Sequence, residues 1–283
     1  MVFLHFTNNK NITMMRFGFT IVLVAFAFLR FTCEATCGGL ADGQVGRAPS
    51  AVGKFDLTGI QDTVHRAFYN DMSMQRDEAL PKVIKALDAG MEGASKSKEQ
   101  LLTYWRSYAR YYSAVYYMQT KQPAKASSVI TEGIRLLQSA KQKGAEEYAL
   151  LARLQGIALS FAGPRAPQVA QEMVQNSVNA IELDSSNVRA YVVAAINDYF
   201  TPKAFGGRQR TKEYLTKALK YPVQRIGGDY MPSWGREEAY EYLLRYTLEE
   251  ENGKGIAALY EKAIQEFPNS YMIRSLEPRV KGK

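Results

Sequence analysis

Tyr191–Leu219 reads YVVAAINDYFTPKAFGGRQRTKEYLTKAL. An apolar segment ends near Phe200, a loop rich in Pro and Gly follows, and an amphipathic segment opens at about Gln209. Apolar residues recur at spacings of three and four on both sides of the loop, the period of a helix with one buried face. The stretch is therefore a helical hairpin with an unusual connection. Ala195, Leu215 and Ala218 are its packing positions, and Thr201–Gly207 is the part that sets it apart from an ordinary hairpin.

The same pattern fills the rest of the chain from Phe55. A first hairpin pairs Phe55–Asn70 with Asp77–Met91, with Asp71–Arg76 as a polar break between them. Pro81 sits in the first turn of the second helix, where a missing N–H costs little. A second hairpin spans Gln100–Ala140 and turns at Pro123. A third pairs Tyr148–Phe161 with Gln168–Leu183 and ends on the turn and cap cluster Asp184–Asn187. After the fourth, Tyr221–Trp234 is irregular, with two prolines and two glycines. The fifth pairs Gly235–Glu250 with Lys254–Phe267 across Asn252-Gly253, and a short capping turn is expected after Pro268. No segment reads as a strand. The expected fold is all-α, an α-solenoid of about five helical hairpins over residues 55–283.

The hairpins share a phase. Ala67 to Ala79 and Ala114 to Ala126 are each twelve residues apart. Beyond the second small residue an apolar residue follows at four and a small one at seven, as in Val83 with Ala86 and Ile130 with Gly133. Leu215 with Ala218 and Tyr260 with Ala263 repeat the phase. Small residues let antiparallel helices approach, and large ones fill the gaps between hairpins. This pattern resembles the tetratricopeptide repeat, a helix-turn-helix unit of about 34 residues. AALYEKAIQEFPNS, with Ala263 and Pro268, and AIELDSSN, from Ala180 to Asn187, are the closest matches. The repeats here are longer, and the family's early Trp is replaced at matching positions such as Arg110 and Tyr191. FTPKAFGG (Phe200–Gly207) and MPSWG (Met231–Gly235) are similar to exported bacterial members of that family. They are more distantly similar to the T component of tripartite ATP-independent periplasmic transporters, a periplasmic partner of a solute-binding protein.

The resemblance implies that first helices line a concave groove. Carried onto this sequence, the groove residues are Phe68, Tyr108, Tyr111, Val115, Arg153, Phe161, Ile196 and Tyr199, with the loop residues Phe205, Gly206, Gly207 and Arg208 and, from the second irregular segment, Trp234. Aromatic rings with a polar tip suit a binding surface, and they equally suit packing between helices. Of the family's carboxylate clamp only Arg153 has a counterpart. The paired glycines before a helix, with Arg208 and Arg210, would fit an anion, or they supply the backbone angles that a long connection needs. A nucleotide phosphate loop is excluded, because no Lys-Ser/Thr pair follows them.

The N-terminus has its own logic. Phe17–Phe28 is a short apolar run preceded by Arg16 and followed by small and polar residues, the layout of a secretory signal over residues 1–35. Translation from Met14 or Met15 would give it a conventional length. A Gly/Ala/Pro/Ser-rich linker occupies residues 36–54. The destination implied is the periplasm or the medium. An uncleaved anchor, or a lipid on Cys33, is the alternative. Cys33 and Cys37 are the two cysteines of the chain, so no disulfide supports the body.

The formal charge is +8, and the segment 1–35 carries three bases and one acid, which leaves +6 for the rest. Signs alternate along the helices with no basic block, which argues against nucleic acid. His65 is the one histidine outside the N-terminal segment, so no histidine triad can form there. No metal or cofactor motif occurs. The expectation is a non-enzymatic scaffold that binds a protein or peptide, such as an envelope or transporter component. The alternative is a transporter accessory protein holding a small apolar ligand in an aromatic groove.

Overall fold

The computed structural model describes residues 56–222 and 228–283. The signal segment, the linker, both cysteines and Phe55 lie outside the described residues. Among the described residues the secondary structure is helical throughout, with no strand. The helices are α1 (Ile60–Met74), α2 (Ala79–Ala89), α3 (Lys96–Gln119), α4 (Pro123–Ser139), α5 (Ala145–Ala158), α6 (Ala166–Leu183), α7 (Val188–Phe200), α8 (Thr211–Lys220), α9 (Arg236–Glu250) and α10 (Ile256–Glu266). Two short ones follow, α11 (Tyr271–Arg274) and α12 (Glu277–Lys281).

Each helix packs on the next, most extensively α3 on α4, α5 on α6 and α7 on α8. The odd-numbered helices also pack on one another in order, from α1 through α9. The small residues of the shared phase are buried except in α2, where Ala79 and Ala86 are half-buried. Ala114, Ala126, Ala218 and Ala263 are fully buried, beside Ile130, Leu215 and Tyr260. A Cβ on Gly133 would lie 2.5 Å from Leu154 Cδ2 and 3.4 Å from Arg110 Cβ, so α4 reaches its neighbours only because nothing is there. Asn187 caps α7, its side-chain oxygen accepting from the Ala190 N–H at 2.9 Å. Pro123 opens α4 at a position that has no intrahelical partner to lose.

The polar break expected at Asp71–Arg76 is misplaced. Helix α1 continues to Met74 and ends on Gln75 in the left-handed conformation. Asp71 is fully buried, and its carboxylate accepts from the N–H groups of Glu78, Ala79 and Leu80. A charged residue that reads as a break thus caps the next helix from within the first, satisfying its orphan donors. Helix α3 also starts earlier than expected, at Lys96.

Candidate functional site

Two features claim attention, the inner face made by the odd-numbered helices and the α7–α8 loop.

The inner face is crowded with rings. Tyr104, Trp105 and Tyr108 of α3 are buried. Tyr108 meets Trp105 edge-on at 5.3 Å, Tyr112 at 5.1 Å and Trp234 in a stack at 6.0 Å. Phe68 meets Tyr112 at 5.1 Å. His65 Nε2 lies 2.7 Å from the Tyr108 hydroxyl, and burial lowers the His65 pKa.

Trp234 does not come from an odd-numbered helix. It arrives on residues 228–235, ahead of α9, which are bonded to α1 and α3. The Gly59 N–H donates to the Asp229 carbonyl at 3.1 Å, and Trp105 Nε1 donates to the Tyr230 carbonyl at 2.8 Å. Gln61 and Ser233, 172 residues apart, exchange two hydrogen bonds at 2.9 and 3.1 Å. Trp234 Nε1 donates to the Tyr104 hydroxyl at 2.8 Å, and Arg189 donates to the Trp234 carbonyl. Residues 228–235 thus form a strap bonded to α1, α3 and the start of α7.

Arg153 is held in the middle of this arrangement. Its guanidinium lies between the rings of Tyr111 and Trp234, 4.4 and 4.5 Å from their centroids. It forms a fork with Glu238 at 2.5 and 2.8 Å and donates to the Tyr111 hydroxyl at 2.9 Å. Burial works against its charge and is the largest single influence, but Glu238, Tyr111 and Tyr112 together outweigh it and raise the Arg153 pKa. The one counterpart of the carboxylate clamp therefore already holds a carboxylate of its own chain. Its Nε is buried without a hydrogen bond, because the plane of the group is committed to the rings and the fork. Nearby, Glu241 is 4% exposed and ion-paired to Arg245 at 2.9 Å, and burial pushes its carboxyl up to about 7.

The loop forms a second group. A Cβ on Gly207 would sit 1.8 Å from the Thr201 carbonyl oxygen, so only glycine fits there. Gly206 (φ 83°) and Arg208 (φ 64°) are left-handed. The N–H groups of Phe205, Gly206, Gly207 and Arg208 donate to carbonyls of this same loop and of Asp198, and that of Arg210 donates to the Asp198 carboxylate. None of these donors is left for an anion, so the glycines serve backbone geometry. Arg208 lies over the Tyr199 ring at 4.4 Å and pairs with Glu249 and Glu250 at 3.1 and 2.7 Å. The Tyr199 hydroxyl donates to Glu249 at 2.7 Å. The clamp leaves Phe205 at the tip, 78% exposed.

Of the residues singled out in the sequence, Phe68, Tyr108, Tyr111, Arg153 and Trp234 come together on the inner face. Val115 and Phe161 are half-buried against the same core. Ile196 packs with the α7–α9 core. Tyr199, Gly206, Gly207 and Arg208 form the separate mount of Phe205. Missed in the sequence were Glu238, Glu241, the strap residues Tyr230 and Ser233, and Gln61 of α1, which holds the strap. Glu238 sits in the first turn of α9, where an acid reads as a complement to the helix dipole. Among the described residues there is no group of three or more His, Cys, Asp or Glu side chains placed to hold a metal, and no helix long and apolar enough to cross a membrane.

No protein-family model matches the chain, and no curated protein matches it.

Proposed function

We propose that this chain is an exported, non-catalytic binding module, a solenoid of about five tetratricopeptide-like hairpins that engages a protein or peptide through the Phe205 loop. The observation that carries the reading is Phe205 itself, 78% exposed on a loop whose neighbouring N–H groups and Arg208 are tied down. An aromatic ring exposed to water gains from burial on binding, and a loop backbone already fixed has little further freedom to lose. The pairwise packing of successive helices and the small-residue phase support the repeat assignment. The strap and the Arg153–Glu238 fork occupy the inner face, which favours an outward-facing contact. The signal-like N-terminus and the resemblance to exported repeat proteins favour a partner in the bacterial envelope.

The test is a photo-crosslinking residue at position 205 of the full chain, expressed in cells. The reading expects one adduct of discrete mass that excess unlabelled protein suppresses and Phe205→Ala protein does not. The same probe at Tyr271, exposed on the C-terminal cap, is the control. Equal adduct spectra from both positions, or none from 205, would sink the reading.

A further inference from the structure

We propose that Tyr108 and His65 form a one-electron redox site, at which Tyr108 becomes a tyrosyl radical by giving an electron to an outer-sphere oxidant and its phenolic proton to the imidazole. The site is independent of the Phe205 contact. Tyr108 is 1% exposed, and its hydroxyl lies 2.7 Å from His65 Nε2, within reach of direct proton transfer. The Tyr112 hydroxyl is a longer contact, at 3.5 Å. Burial lowers the His65 pKa, so the ring is neutral at pH 7 and has one unprotonated nitrogen. Proton transfer requires the tautomer protonated at Nδ1, in which that nitrogen is Nε2.

The surroundings select Tyr108 as the place where an oxidising equivalent comes to rest. Its ring meets those of Trp105, Tyr112 and Trp234, at 5.3, 5.1 and 6.0 Å between centroids, close enough for an electron to pass between them. Both indole N–H groups donate to weak bases, Trp105 to the Tyr230 carbonyl and Trp234 to the Tyr104 hydroxyl. An oxidised indole there keeps its proton and remains a strong oxidant, able to take an electron from Tyr108. The Tyr111 hydroxyl accepts from Arg153, a cation that opposes loss of an electron. A route to the surface runs over Tyr112 and Phe68 to the exposed Tyr69, ring to ring at 5.1 and 5.4 Å. Elsewhere Tyr117, Tyr199 and Tyr240 donate to the carboxylates of Asp77, Glu249 and Glu266, which are weaker bases than imidazole.

One electron leaves Tyr108 and reduces the oxidant, an organic peroxyl radical or an oxidised metal complex. The Tyr108 O–H bond breaks and an N–H bond forms on His65 Nε2. The products are a neutral tyrosyl radical and an imidazolium, one positive charge for the one electron lost. Asp62 of α1 and Glu238 of α9 favour that cation, and Arg153 of α5 opposes it. Return of an electron and of the proton restores both groups. Because Tyr108 is buried, its radical cannot couple with a tyrosine of another molecule, as an exposed one can.

Flash oxidation of the full-length protein by a photogenerated ruthenium(III) polypyridyl complex tests this, read by transient absorption and electron paramagnetic resonance. The expected result is a long-lived neutral tyrosyl radical that is absent from Tyr108→Phe and forms about a hundredfold more slowly in His65→Gln, the low end of what a positioned base contributes. Its yield should fall as pH drops through the His65 pKa, below 6.5, where the imidazole already carries a proton. The same long-lived radical in Tyr108→Phe overturns the proposal. So does an unchanged rate in His65→Gln, or oxidation that ends only in dityrosine between exposed rings. Where His65→Gln fails to unfold cooperatively in urea, the wild type in heavy water decides instead. Slower radical formation there supports breakage of the O–H bond in the oxidation step, and an equal rate overturns it.

Discussion

Glu241 gives the sharpest quantitative consequence of the inner face. Its carboxyl is buried on α9, and burial is the main cause that raises its pKa from 4.5 to about 7. Arg245 pulls the other way, while Glu237 and Glu238 on the same helix add to the rise. From other elements, Tyr69 of α1 and Tyr111 of α3 face it. The sign follows from proton binding: between pH 4.5 and 7 the folded chain holds more protons than the unfolded one, so stability falls as pH rises. The contribution is complete below the unfolded pKa and is lost as pH rises through the folded one. A shift of about 2.5 units corresponds to about 3 kcal/mol in all, most of it lost between about pH 5 and about pH 8. Glu241→Gln keeps the shape and removes the titration. Urea unfolding of both proteins at several pH values isolates the residue, because His65 and every other group cancel in the difference. The wild type should lose about 3 kcal/mol relative to the variant across that range. Parallel pH profiles for the two proteins would refute the burial argument, and a difference of opposite sign would mean that Arg245 dominates.

Trp234→Ala removes the ring that stacks on Tyr108 and Arg153, and it should cost about 3–5 kcal/mol in urea unfolding, as for other buried large aromatics. Trp234→Phe loses chiefly the hydrogen bond to Tyr104, so it should cost about 1 kcal/mol by the same assay. Gly207→Ala places a methyl group against the Thr201 carbonyl, so the loop must rearrange, at about 1–3 kcal/mol. Limited trypsin digestion should then cut at Arg208, which the native clamp on Glu249 and Glu250 protects.

The helices were legible because burial on one face leaves a period in the sequence. Ala114, Ala126, Leu215 and Ala218 announce both their helices and the close approach between them. The rigid loop was legible for a related reason: adjacent glycines imply backbone that other residues avoid, and Gly206 meets that description through its left-handed φ while Gly207 meets it through its close approach to the Thr201 carbonyl. What the sequence hides are contacts without a period. Gln61 and Ser233 carry no mutual signal, since one lies on a helix and the other in an irregular segment 172 residues away. Asp71 and Glu241 were hidden by their charge. An acid is normally solvated, and only the folded chain shows three N–H groups converging on Asp71 and an arginine beside Glu241. Arg153 was found as a groove residue, but its partner was not. The fork that the resemblance reserves for a ligand is completed by Glu238 from the same chain.

The strap ties together helices that are far apart in the chain. In an array where each hairpin touches only its neighbours, stability is a sum of local terms, and an end can fray without disturbing the middle. Here the segment before α9 is bonded to α1 and α3 through Gly59, Gln61, Tyr104 and Trp105. Fraying of α1 must therefore break contacts made by the segment just ahead of α9, which couples α1 and α3 to that segment. The same closure fixes the distance between α1 and α9, so Tyr69 stays opposite the acids of α9. A groove that admits a peptide needs room to open, and the strap spends that freedom on rigidity. Tyr199, on the α7 inner face, holds Arg208, and Arg208 holds the loop that carries Phe205. The strap and the mount of Phe205 share no residue, so a substitution at Trp234 and one at Arg208 perturb separate sets of contacts.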